Sequence, residues 1–252
     1  MSIKIAHLYY DFLNLYGENG NVMALQRAFE KAQCDVEVLK IALEDEIRVR
    51  DYDIIYIGSG TESNLKVATQ KLMKYKKDLQ EYIDNGGFLV ATGNAYEIFG
   101  KTIELDVDKK TVTYEALNIF DYYTKLLSKR LVSDVLAKCT IEDLDKPFIG
   151  FYNRITQVVC SDLSLFRVLK LEEGIEAVAT DGYSYKNFYG TYMIGPIFVR
   201  NPHFLEYFVR RYFETKEIEI KDKAFNLNLE YEAYDEFLER HYNKSNINNN
   251  KI

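Results

Sequence analysis

The segment Phe88-Leu89-Val90-Ala91-Thr92-Gly93-Asn94-Ala95-Tyr96-Glu97-Ile98-Phe99-Gly100 has the layout of a nucleophile elbow, a short apolar strand running straight into a helix start. Such a turn holds its central residue at positive φ on the carboxyl edge of a sheet, where a thiol or hydroxyl is lifted clear of the backbone and aimed into a crevice. Here the central residue is Gly93, which keeps the turn and has no atom that can attack a carbonyl. The alternative is an ordinary strand-to-helix turn. No substitute nucleophile and base stand out elsewhere. His7 falls in the first strand, His203 follows Pro202 at a helix start and His241 sits near the end of the last helix, all three reading as structural. Cys34, Cys139 and Cys160 are odd in number and far apart, so they predict packed thiols, neither a disulfide framework nor a zinc cluster.

The elements that must position this turn are legible from hydrophobic spacing. A strand over about Ile3 to Tyr9, the polar loop Asn14 to Asn21 and a helix carrying Val22, Leu25, Phe29 and Ala32 come first. Val36, Val38 and Ile41 predict a second strand, and Asp53 to Gly58 is a continuous apolar run of the kind found in a parallel strand covered on both faces. After Gly58-Ser59-Gly60-Thr61 the spacing of Leu65, Ala68, Leu72, Tyr75, Leu79 and Tyr82 predicts one long helix, stopped at Asn85-Gly86-Gly87. This βαβαβ order implies an α/β fold with an open, mostly parallel sheet flanked by helices, whose crevice lies beyond the carboxyl ends of the strands. From about Thr111 to Thr191 short strands are expected near 111–118, 131–137, 147–151, 155–160, 175–180 and 187–192, extending the sheet or adding an antiparallel flap. Asn201-Pro202 predicts an N-cap and first helical position, with Phe204, Leu205, Phe208 and Tyr212 on one face. A last helix over 226–243 should bury Tyr231, Tyr234, Leu238 and His241. Residues 1–243 read as a single domain and 244–252 as a disordered polar tail.

Composition excludes several classes. The net charge of -7, with basic residues spread along the 252 residues, argues against a nucleic-acid partner. No apolar run approaches the roughly 20 residues that span a bilayer, and no signal-type stretch opens the chain, which therefore reads as cytoplasmic without membrane insertion.

Five further stretches follow one another in a set order: Leu13-Asn14-Leu15-Tyr16-Gly17-Glu18-Asn19-Gly20-Asn21, Ile57-Gly58-Ser59-Gly60 before a long helix, Tyr96-Glu97-Ile98-Phe99-Gly100, Ile149-Gly150-Phe151-Tyr152-Asn153 and Gly190-Thr191-Tyr192-Met193-Ile194-Gly195-Pro196. In these the chain, over roughly residues 3–215, resembles the class I glutamine amidotransferases of the cobyric acid synthase group. It is similar there to the glutaminase subunits of bacterial lipid II isoglutaminyl synthases, which feed ammonia to a Mur-ligase-like partner in cell-wall amidation.

The resemblance also marks departures. Where the family elbow reads cysteine, glycine, glycine, tyrosine, glutamine, this chain has Gly93, Asn94, Ala95, Tyr96 and Glu97. The family's catalytic histidine falls on Ile194, and a second family histidine on Arg154. Glutamine hydrolysis needs a thiolate to attack the side-chain amide and an imidazole to move the proton, and glycine and isoleucine do neither. The resemblance further implies that Gly58, Ser59 and Gly60 shape the oxyanion region together with Asn94, Ala95 and Glu97, and that Arg130 helps to hold the substrate. An ordinary strand-end turn and a surface arginine remain open for these. The tyrosine-rich stretch Tyr183, Tyr185, Tyr189 and Tyr192 reads as an interface or as compositional bias in a chain with 21 Tyr. The expectation is a glutaminase-dead amidotransferase-like domain serving as a binding or regulatory subunit of an ATP-dependent amidating ligase, with no cofactor or metal. Two alternatives stay open: an active amidotransferase using an unrecognised nucleophile, and a small-molecule sensor whose remodelled crevice holds glutamine or a replacement ligand.

Overall fold

The computed structural model of the protein describes residues 2–160, 164–172, 178–220 and 226–242. The first half builds the expected α/β succession: β1 (Ser2–Leu8), α1 (Asn19–Lys31), β2 (Asp35–Ile41), β3 (Ile54–Ile57), α2 (Glu62–Leu72), α3 (Lys76–Asp84) and β4 (Phe88–Thr92). Every residue of β3 and β4 is buried, as a continuous apolar run between two covered faces requires. A 3₁₀ helix over Gly93–Phe99 follows β4 directly. The predicted long helix is broken by a 3₁₀ turn at Met73–Tyr75, where the Tyr75 hydroxyl accepts the Ile47 N–H at 3.0 Å. Tying that ring to a neighbouring loop takes its turn out of the helical path.

The middle of the chain is more extended than the sequence suggests. It forms a hairpin of β5 (Thr102–Val107) with β6 (Lys110–Glu115), then β7 (Tyr122–Cys139), β8 (Phe148–Cys160), β9 (Phe166–Leu171), β10 (Thr180–Asp181), β11 (Tyr183–Tyr185) and β12 (Phe188–Thr191). The expected strands 147–151 and 155–160 are one strand, because Tyr152, Arg154 and Thr156 continue a period of two on a buried face. The polar Asn153-Arg154 pair reads as a break only as long as Arg154 is assumed to be exposed. The strand expected over 111–118 is the shorter β6, and β9 carries no clear sequence signal. Of the strand expected at 175–180, residues 175–177 lie outside the described residues and only Thr180 is in a strand.

The main sheet has the order β11-β12-β4-β3-β1-β2, parallel throughout except for the antiparallel pairing of β11 with β12. Strands β10-β9-β7-β8 make a separate four-stranded antiparallel sheet, bridged to the main unit by Phe151 pairing with Ile194. Both expected roles of the strand-rich middle are therefore realised: sheet extension and an added antiparallel layer. The chain continues through α4 (Ile197–Arg200), α5 (Pro202–Thr215) and α6 (Asn228–His241). Helices α1, α4 and α5 pack together, with Phe29 and Phe88 edge-on to Tyr212. Pro202 opens α5 as expected, but the Asn201 side chain does not cap it. Its Oδ1 accepts the Ile149 N–H at 2.7 Å while its Nδ2 donates to the Ile149 and Ile197 carbonyls, each at 2.9 Å, stitching β8 to α4. In α6 Tyr234 and Leu238 are buried, whereas His241 is exposed; the helix begins at 228 and stops at 241. The expected tail 244–252 lies outside the described residues.

Candidate functional site

The loops after β1, β3, β4 and β12 converge at the carboxyl edge of the sheet, where an open α/β sheet places its ligand crevice. A cavity of about 250 Å³ opens there, lined among others by Ser59, Gly60, Gly93, Asn94, Glu97, Arg154 and Ile194. Gly93 has φ of 60° and begins the 3₁₀ helix, so the turn has the geometry of an elbow. A Cβ at Gly93 would stand 2.4 Å from Ser59 Cβ and 3.0 Å from Ile194 Cγ2. The side chains of Ser59 and Ile194 thus close over the volume that a nucleophile's side chain would need.

The donor that could face a developing oxyanion is also engaged. Gly60 N–H donates to Asn94 Oδ1 at 3.1 Å, and Asn94 Nδ2 donates back to the Gly60 carbonyl at 2.9 Å. One carboxamide locks the loop after β3 to the elbow and takes up its N–H. Ser59 is the hydroxyl beside the elbow, yet its Oγ donates to Glu18 Oε1 at 2.8 Å. Glu18 is fully buried beneath the turn, and its other oxygen accepts from Tyr56, from Thr92 at 2.6 Å and from Asn21 at 3.3 Å. Burial raises the Glu18 carboxyl above its ordinary range, against the hydrogen bonds from Thr92, Tyr56 and Ser59. The loop after β3 must pass close to permit this: a Cβ on Gly58 would meet Glu18 Cγ at 2.7 Å. A carboxylate ringed by donors in this way is a clasp between β1, β3 and β4.

Arg154 is 3% exposed and Glu97 1%. Arg154 Nη1 donates to the Thr156 carbonyl at 2.6 Å, and the Thr156 hydroxyl donates to Glu97 Oε1 at 2.5 Å. Burial raises Glu97 to about 7, partly opposed by the Thr156 hydrogen bond and the Arg154 charge. The folded protein therefore holds a proton on Glu97 that the unfolded chain, near 4.5, releases first. This contribution to stability is complete below about 4.5, declines as pH rises toward 7 and is gone above it. Glu97→Gln, which mimics the protonated form, should be more stable than the wild type at pH 8 by on the order of 3 kcal/mol. The two should converge near pH 4.5. Urea unfolding of both proteins across that range checks it, and parallel curves would show that Glu97 does not titrate in this window.

Of the residues singled out in the sequence, Gly93, Ile194, Arg154, Ser59, Gly60, Asn94, Glu97 and Arg130 line the cavity. Gly58 and Ala95 do not. Gly58 packs on Glu18, and Ala95 points into the core because the 3₁₀ helix turns its side chain away from the crevice. Arg130 pairs with Glu62 and its Nη1 donates to Asn153 Oδ1 at 3.2 Å, tying β7 to α2 and β8 across the mouth. Sequence reasoning passed over Glu18, Tyr56, Thr92 and Thr156. Glu18 lies within the stretch Leu13–Asn21, and Thr156 follows Arg154 at strand spacing; Tyr56 and Thr92 carry no separate signal. Among the described residues neither a cysteine nor a histidine lines the cavity. His7 packs edge-on to Tyr56, and burial lowers it to about 4; His203 lies between Phe148 and Tyr234, lowered by burial to about 3. Among the described residues no cluster of His, Cys, Asp and Glu could hold a metal ion, and no helix is long and apolar enough to cross a membrane. Of the tyrosine-rich stretch, Tyr192 lies on the cavity wall and Tyr189 is buried against Phe204, so these two rings are packed inside.

The family model of the CobB/CobQ-like glutamine amidotransferase domain matches residues 4–202. The chain belongs to this family. Among curated relatives, the amidotransferase domain is 30% identical over 202 residues to the lipid II isoglutaminyl synthase (glutamine-hydrolyzing) subunit GatD of Streptococcus pneumoniae, covering 79% of this chain and 76% of that one. It is 29% identical over 240 residues to the subunit of the same name from Staphylococcus aureus, covering 94% and 96%. Among solved structures, a glutamine amidotransferase from Thermotoga maritima superimposes with a TM-score of 0.49 at 9% identity, covering 88% of this chain and 90% of that one. At the elbow this amidotransferase domain carries Gly93, over which Ser59 and Ile194 close.

Proposed function

We propose that this amidotransferase domain does not hydrolyse glutamine and serves in the cytoplasm as a binding or regulatory subunit of an ATP-dependent, Mur-ligase-like amidating enzyme. The observation that carries the reading is the elbow itself. Gly93 holds the positive φ of a nucleophile's turn, Ser59 and Ile194 fill the space of the missing side chain, and Asn94 takes up the Gly60 N–H. Each change removes a different requirement of the reaction, namely attacking atom, base and oxyanion donor. The partner is inferred from the relatives, which are named as subunits of a synthase acting on lipid II. Purified protein should release no ammonia from glutamine, and a glutamine-derived electrophile should label no cysteine in it. A tagged copy recovered from its own cells should bring a ligase with it in stoichiometric amount. Glutaminase turnover abolished by substituting Cys34, Cys139 or Cys160 would overturn the loss of activity, and recovery of the subunit alone would overturn the partnership. A second reading, a small-molecule sensor, draws on the polar cavity that remains beside the filled elbow.

A further inference from the structure

We propose that Glu18 is held as the neutral acid and that its proton latches the loops around the crevice together, loosening them when the group ionises. The inference goes beyond the fate of glutamine hydrolysis and does not depend on it. Glu18, Asn21, Tyr56, Ser59 and Thr92 are all buried. The Tyr56 hydroxyl, the Thr92 hydroxyl and Glu18 Oε2 form a closed triangle: Tyr56 meets Glu18, Thr92 meets Glu18 at 2.6 Å, and Tyr56 meets Thr92 at 2.6 Å. Oxygens so close need a hydrogen between each pair. The two hydroxyls supply two hydrogens for three contacts. With a carboxylate the third contact is bare oxygen against oxygen, whereas the neutral acid supplies the missing hydrogen and closes the ring. The other donors do not reach that contact. Asn21 Nδ2 donates to the Tyr56 oxygen at 2.8 Å and to Oε2 at 3.3 Å, and the Ser59 hydroxyl and N–H both serve Oε1, at 2.8 and 3.4 Å.

The surroundings favour the same state. Among the described residues no ion pair reaches Glu18, so a charge there would be buried without a counterion; only hydrogen bonds from Thr92, Tyr56 and Ser59 oppose the effect of burial. The titratable groups on this side of the sheet are the Tyr56 phenol from β3, kept neutral by burial, and His7 from β1, which packs edge-on to the Tyr56 ring and is lowered to about 4 by burial. Helices α1 and α4 contribute Asn21 and the Phe198 N–H, which do not titrate.

The ring joins the parts that shape the crevice. Thr92 immediately precedes Gly93, Ser59 closes over Gly93, and Glu18 ends the loop whose Leu15 N–H donates to the Ser59 carbonyl at 3.0 Å. Asn21 carries the network on to α4 by accepting the Phe198 N–H at 2.9 Å. Ionisation of Glu18 turns both hydroxyls toward the carboxylate and sets their oxygens against each other, which pushes Thr92 and the elbow away from β3. The sign follows from burial. The folded protein keeps this proton to higher pH than the unfolded chain, so the stabilisation is complete below the ordinary carboxyl range and is lost as pH rises through the raised value.

Infrared spectroscopy and amide exchange of the full chain test both parts, with Glu97→Gln present throughout so that Glu97 does not titrate in the same range. At pH 7 the difference spectrum against added Glu18→Gln should contain an acid C=O stretch, which isotope labelling of glutamate separates from the buried acid of Asp181. Carboxylate bands in its place overturn the proposal. Glu18→Gln keeps the acceptor and the donor of the neutral acid, so its urea midpoint should match that of its parent at pH 6 and exceed it at pH 9. A midpoint lowered equally at both overturns it too. Exchange of the amides of Ser59, Gly60 and 93–99, taken as a ratio to Glu18→Gln at the same pH, should rise at least about tenfold between pH 6 and pH 9. A flat ratio overturns the latch. If Glu18→Gln does not fold, Thr92→Val carries the test: loss of one ring partner should shift the labelled acid band, and an unmoved band overturns its assignment to Glu18.

Discussion

A variant carrying Gly93→Cys and Ile194→His should release no more ammonia from glutamine than the wild type, although it places a thiol and an imidazole at the elbow. The thiol would be attached to a Cβ lying 2.4 Å from Ser59 Cβ, so Ser59 or the elbow must move before the sulfur can point into the cavity. The Gly60 N–H, bonded to Asn94 Oδ1 at 3.1 Å, is not free to meet the oxyanion. Losing one such donor costs on the order of 10² to 10³ in rate, and a misplaced nucleophile costs a comparable factor again. Adding Ser59→Gly and Asn94→Gly removes both obstructions, and this four-fold variant should show detectable turnover at least about 100-fold above the double variant. Glu97→Gln in the same background returns an amide to the cavity floor. Robust turnover by the double variant alone would show that neither Ser59 nor Asn94 blocks the site. A folded four-fold variant with no activity would place the obstruction elsewhere.

The second large effect is on stability. Gly93→Ala should destabilise the protein by on the order of 4 kcal/mol, from two sources of similar size. A non-glycine residue at φ of 60° in a turn carries roughly 1–3 kcal/mol of backbone strain, and forcing a methyl into a filled site costs about 1–3 kcal/mol more. The overpacking is specific: the new Cβ meets Ser59 Cβ and Oγ, and Ser59 is held in place by the Glu18 clasp. Ser59→Gly in the Gly93→Ala background should therefore recover the packing part and leave the strain. Chemical denaturation of the wild type, both single variants and the double variant gives the coupling directly. A Gly93→Ala protein within 1 kcal/mol of the wild type would mean that Ser59 yields at little cost, in which case the restored cysteine of the previous experiment needs no Ser59→Gly.

The legible part of the site was the part written in local sequence. An apolar strand followed at once by glycine and a helix start announces a positive-φ turn, because only that backbone joins the two elements so closely; Gly93 at φ of 60° bears this out. The α/β order was equally clear, since a continuous apolar run such as Ile54–Ile57 survives only with both faces covered. Asn94 stands in the stretch that the resemblance assigns to the oxyanion region. What it does, a two-way hydrogen bond with Gly60, depends on a residue on another strand end.

Arg154 shows why the rest could not be read. In sequence it interrupts a strand, and an arginine in a strand is normally solvated; only the closure of β8 over Tyr192, with Thr156 two residues on, makes it a buried cation. Glu18 is a stronger case, because beyond Asn21 in its own loop its partners come from the end of β3, Tyr56 and Ser59, and from Thr92 at the end of β4. Sequence alone determined the family, the order of elements and the identity of the residue at the elbow, all set by local pattern and chain order. The tertiary structure decided that Ser59 and Ile194 close over Gly93, that Asn94 takes up the Gly60 N–H and that Arg154 and Glu97 line the same cavity. Those are contacts between residues distant in the chain, fixed only when the parallel sheet brings its loops to one edge.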